Sequence, residues 1–78
     1  MNPLTLVASN DLVYRVLTPE GAHVGNLKRI GSVWKFKALG VDADGSVVPG
    51  GGPLTHQHNM VFAAPVEADV SAALLGLP

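Results

Sequence analysis

The stretch Ser32-Val33-Trp34-Lys35-Phe36-Lys37-Ala38-Leu39 decides the fold. Trp34, Phe36 and Ala38 fall on one side of an extended chain, and Val33, Lys35 and Lys37 fall on the other. Alternation of aromatic against charged residues with a period of two is the pattern of a half-buried strand. Trp34 and Phe36 are therefore expected to anchor the core. Truncating either is expected to cost about 3–5 kcal/mol, a large part of the stability of a chain this short.

Toward the N-terminus, Gly31 separates this strand from an earlier one over Ala22 to Ile30. There Val24 and Ile30 share one face and Leu27 lies on the other. Gly25 inside it indicates a bulge or a close contact. Thr18-Pro19-Glu20-Gly21 has the composition of a tight turn, preceded by a strand over Leu12 to Leu17. Residues 1–10 are read as a loose end, in which Leu4 to Ala8 has the composition of a short strand.

Toward the C-terminus, residues 40–55 read as one long loop rich in Gly and Pro. It holds the turn Asp42-Ala43-Asp44-Gly45, a Val47-Val48 pair able to join the preceding strand briefly, and Pro49-Gly50-Gly51-Gly52-Pro53. The glycine run reads as a connector; it precedes a strand and lacks the Gly-Lys-Ser/Thr of a phosphate loop. His56 to Ala63 reads as a last strand, with His56, His58, Met60 and Phe62 on one face and Phe62 as a third core anchor. Pro65 to Leu75 reads as a helix. Pro65 suits its first position, Glu67 and Asp69 suit its positive end, and Gly76 suits its termination. Val66, Val70, Ala73, Leu74 and Leu77 form its apolar stripe. The expected fold is one small α+β domain over residues 1–78. It comprises a three- to four-stranded antiparallel meander with one C-terminal amphipathic helix on one face.

Composition narrows the function. The 78 residues contain no cysteine, which removes disulfides, thiolate catalysis and cysteine-based zinc sites. The apolar fraction is 47% and the charged fraction 14%, so a small core leaves apolar side chains outside, where they favour association. No apolar run is long enough to span a bilayer, and the first residues lack the basic start of a signal peptide. The expected location is the cytoplasm, without membrane contact. The serines sit in no nucleophile elbow, no pair of acids has a catalytic setting, and neither an enzyme nor a cofactor is expected.

The net charge is −1, but its distribution is uneven. All five basic residues, Arg15, Lys28, Arg29, Lys35 and Lys37, lie between positions 15 and 37, and no acid occurs from Gly21 to Val41. Lys35 and Lys37 oppose Trp34 across their strand. Lys28 or Arg29 would join them from the neighbouring strand and Arg15 from the first. Three strands backed by a helix, with a basic outer face, have the shape and charge to enter a DNA groove. In element order and charge placement this resembles the integrase arm-type DNA-binding domains, a resemblance that implies a nucleic-acid partner held by the sheet. The plain alternative is a solvated strand face whose lysines prevent edge aggregation.

His56 and His58 would lie about 6.5–7 Å apart on one strand face, a spacing that can chelate a metal if a third ligand is brought close. Asp42-Ala43-Asp44-Gly45-Ser46 begins like a calcium loop but lacks the remaining ligands, so a plain turn is expected. Three functions follow from the residues. The first is a non-catalytic interaction module, self-associating as a homodimer or holding a protein partner. The second is a nucleic-acid-binding sheet, and the third a histidine metal module.

Overall fold

The computed structural model describes residues 3–76. Six strands and one helix follow in the order β1 (Thr5–Asn10), β2 (Val13–Leu17), β3 (His23–Ile30), β4 (Val33–Val41), β5 (Val47–Pro49), β6 (Val61–Phe62) and α1 (Glu67–Leu75), with one 3-10 turn at Thr55–Gln57. All pairings are antiparallel. The strands run in the order β1-β2-β3-β4-β5, and β6 also pairs with β4. The class is α+β, as the sequence predicts, but the sheet is larger than the three or four strands expected.

The strands beyond the expected four, β1 and β5, have local causes. β1 forms because Leu4 to Ala8 continues into a polar end that still pairs with β2, in register Leu6 to Val16 and Ala8 to Tyr14. Asn10 closes the connection by accepting the Leu12 amide on its Oδ1 at 2.8 Å, a side chain standing in for a turn carbonyl. β5 and β6 arise because β4 is nine residues long and offers more edge than one partner covers. β6 takes its first half through Trp34 and Phe62, and β5 takes its end through Leu39 to Val41.

The register sets the core. Tyr14, Leu27 and Phe36 form one cross-strand row, and Val16, Gly25 and Ala38 form the next. Val16, Leu27 and Phe36 are fully buried. Trp34 and Phe62 are half-buried against them, and Trp34 meets Tyr14 edge to face at a centroid distance of 5.4 Å. Gly25 has a steric reason to be glycine: a Cβ there would overlap the Phe36 ring and approach the Lys37 carbonyl oxygen.

The helix lies differently from its predicted stripe. Val70, Ser71 and Leu74 are buried, whereas Ala73 faces solvent and Val66 is 45% exposed; Leu77 lies outside the described residues. The rotation is explained by the edge of β1. Ser71 Oγ accepts the Leu4 amide at 3.2 Å and Glu67 accepts the Leu6 amide at 3.0 Å. Four residues of helix rise about 6.0 Å and two residues of strand about 6.6–6.8 Å, so the two acceptors match alternate strand amides. The helix thereby closes an edge and covers the core at once.

Gly25→Ala is expected to lower stability by about 1–3 kcal/mol, the range for overpacking, measured by urea unfolding. An unchanged midpoint would mean that the Phe36 ring moves aside at no cost.

Candidate binding face

The face of the sheet turned away from Phe36 carries the basic residues. Cross-strand partners project to the same side. One row runs Val7, Arg15, Asn26 and Lys37, and the next runs Val13, Lys28, Lys35 and Val61. Four of the five predicted cations are thus brought to one face. Arg29 is not among them: it pairs with Trp34, on the opposite side of β3, and its Nε donates to the Gly31 carbonyl at 3.3 Å. None of the six strands contains an acid. Asp11 and Glu20 sit between strands, Asp42 and Asp44 follow β4, and Glu67 and Asp69 lie in the first turn of α1.

Three further polar residues join this face, none evident as a site from sequence. Asn26 lies between Arg15 and Lys37 in register. The His23 Nε2 is 2.8 Å from Asn26 Oδ1. The bulge between Val16 and Leu17 puts His23 opposite Leu17, on the same side as Asn26. Asn59 reaches in from beyond β4, and its Oδ1 accepts from the Lys37 ammonium at 2.5 Å. Asn26 shares its strand parity with Val24 and Ile30, so alternation does not mark it, and nothing in the sequence marks Asn59, which arrives from a non-local segment.

The histidine pair takes another arrangement. His56 and His58 are expected on one strand face, but the chain makes a 3-10 turn there and strand pairing resumes only at Val61. His56 is exposed in that turn. His58 folds back on β4, where its Nδ1 accepts the Ala38 amide at 3.0 Å. On one side of it the Phe36 amide donates to the Met60 carbonyl, and on the other the Gly50 amide donates to the Ala38 carbonyl. The imidazole therefore fills a gap between β6 and β5 along one strand edge. Among the described residues, no three His, Cys, Asp or Glu side chains come together in a way that could hold a metal.

The glycine loop is ordered by the same edge. Gly52 lies on Gly40, where a Cβ on either residue would overlap the backbone of the other. Thr55 Oγ1 donates to the Gly50 carbonyl at 2.6 Å and fastens the loop to the 3-10 turn. The Asp42 to Ser46 turn is likewise closed on itself: Asp42 Oδ1 accepts the Asp44 and Ser46 amides. The Asp42 side chain, followed by Ser46, holds the Asp44 carboxyl down at about 2. A carboxyl lowered on folding supports the turn at neutral pH and loses that support as pH falls toward 2.

No helix among the described residues is long and apolar enough to cross a membrane. Comparison with protein-family models, curated proteins and solved structures found no match.

His58→Ala is expected to cost about 1–3 kcal/mol, because the Ala38 amide is left without its acceptor. Hydrogen exchange at Ala38 should accelerate more than at Phe36, whose acceptor is a backbone carbonyl. Equal protection at both amides would show that the imidazole carries no such role.

Proposed function

We propose that the protein is a non-catalytic binding module that holds the phosphate backbone of a nucleic acid on the open face of its sheet. The carrying observation is the gathering of Arg15, Lys28, Lys35 and Lys37 on one face of a sheet whose strands contain no acid. Lys28 stands directly across from Lys35. Like charges in that position repel each other and weaken the sheet. An anionic polymer turns the repulsion into attraction and gains entropy by releasing its own counterions. The net charge of −1 does not oppose this, because the acids lie between the strands and on the helix.

A second reading, self-association, is supported by a different place in the fold. Val41 and Val47 face each other across the β4–β5 pair and are 64% and 59% exposed. β5 ends the strand order, and an apolar terminal strand is a template for pairing across a two-fold axis. Sedimentation of the wild type and of Val47→Lys tests it: a wild type monomeric at high concentration removes this reading.

For the nucleic-acid reading, the measurement is fluorescence anisotropy of a short labelled duplex as salt is raised. Four phosphate contacts give a slope of log affinity on log salt of about −3.6. Lys35→Glu combined with Lys37→Glu should abolish binding while the amide spectrum stays dispersed. A duplex that is not bound at low salt, or that the double variant binds equally well, sinks the reading.

A further inference from the structure

Within that face, we infer that Arg15, Asn26 and Lys37 form a subsite for one phosphate group, with His23 and Asn59 as its positioning residues. The inference rests on the nucleic-acid reading and names the atoms that would meet the anion. The three residues are consecutive cross-strand partners on β2, β3 and β4, so their Cα atoms are spaced about 4.5–5.5 Å apart. Arg15 and Lys37 carry only donors. Asn26 carries a donor and an acceptor, and the structure disposes of the acceptor. Its Oδ1 lies 2.8 Å from His23 Nε2, a contact that the Nε2–H tautomer of the ring makes as a donor to the amide oxygen. The Asn26 NH2 is then left to point elsewhere, as a neutral donor between two cations. Lys37 is held in its turn by Asn59 Oδ1 at 2.5 Å.

The result is an amide donor between two cations on strands that contain no acid, which suits an oxyanion and disfavours a cation. Two cations and an amide fit the oxygens of a phosphate, and charge-assisted hydrogen bonds of this kind are the strong ones. The flanking pair Lys28 and Lys35 lies two residues along the strands, about 6.6–6.8 Å away. That separation lets it engage a second phosphate of the same polymer. A phosphodiester in a duplex and free phosphate offer the same chemistry, and the number of groups engaged distinguishes them.

Asn26→Asp tests this because it exchanges the amide donor for an anion with almost no change of shape. Its duplex affinity at low salt is expected to fall at least about tenfold, the loss of one charge-assisted contact. In the wild type, the Asn26 side-chain NH2 resonances should shift on adding duplex, and shift less on adding inorganic phosphate at equal phosphate concentration. His23→Ala should weaken binding and His23→Gln, which keeps a donor for Asn26 Oδ1, should restore it. If Asn26→Asp fails to fold, Asn26→Leu removes the donor without adding charge and should weaken duplex binding in the same direction. Full duplex affinity in folded Asn26→Asp or Asn26→Leu, with binding still lost in the Lys35 and Lys37 double variant, overturns the subsite and leaves the face. Loss of all duplex binding by the wild type overturns both. Equal shifts with phosphate and duplex would assign the row to small phosphate anions and overturn the polymer as its ligand.

Discussion

The ring of Phe36 rests on the bare backbone of Gly25 in the neighbouring strand, and the sheet is organised around that contact. A side chain at Gly25 would force the ring off β3 and out of the row it shares with Leu27 and Tyr14. With glycine there, the largest fully buried side chain of the domain sits low on the sheet, leaving the helix room to bring Val70 and Leu74 into the core. Phe36 is equally fixed through its main chain, whose amide and carbonyl bind Met60 and Asn59 across the far edge. One residue thus joins β3, the segment leading to β6 and the helix-covered core.

A sheet that small has a large ratio of edge to interior, and edges carry unpaired amides. Side chains complete the edges here. Ser71 and Glu67 serve the outer edge of β1, and His58 serves the middle of β4. Each replaces a backbone carbonyl with a side-chain acceptor at matching spacing. Consequently Ser71 is buried in a helix that composition would have packed through Ala73 instead. The demand of the strand for acceptors outweighs a small gain in apolar burial, because an unpaired buried amide costs about 1–3 kcal/mol and an alanine methyl buries only about 0.8 kcal/mol of transfer energy.

This distinction also explains what the sequence could reveal. Period-two alternation over Val33 to Leu39 is a local signal, and in the fold Phe36 is buried on one face of β4 while Lys35 and Lys37 stand on the other. The helix end at Gly76 was equally local, its amide capping the Ala72 carbonyl. The segment His56 to Ala63 is a strand only at Val61–Phe62; the alternation of its first half imitates a strand. The chain is instead turned by hydrogen bonds from Gln57 to Leu54 and from His58 to Thr55. The glycine run reads as a connector unless one knows that Gly52 must lie against Gly40, a contact made only in the folded chain. Of the open face, the cations were legible and the amides were not. Asn59 gains its place beside Lys37 through a loop closure that no local pattern encodes.

The partition of side chains between the two faces bears on what the open face can hold. Tyr14, Trp34, Phe36 and Phe62 share the parity of the core and lie against it. The open face therefore has no aromatic ring on its central rows, where Arg15, Asn26, Lys37, Lys28 and Lys35 stand between Val7, Val13 and Val61. Single-stranded nucleic acid is held chiefly by stacking its bases on aromatic rings, and that contribution is missing. What remains is charge and hydrogen-bond donation, and both act on phosphates. A duplex presents about one phosphate per 1.7 Å of axis and keeps its bases stacked among themselves. A surface built only to meet phosphates gains more from that dense, preformed row than from a flexible strand that must first be ordered. The core, by drawing Tyr14, Trp34, Phe36 and Phe62 to its own side, determines the kind of polymer the other side suits.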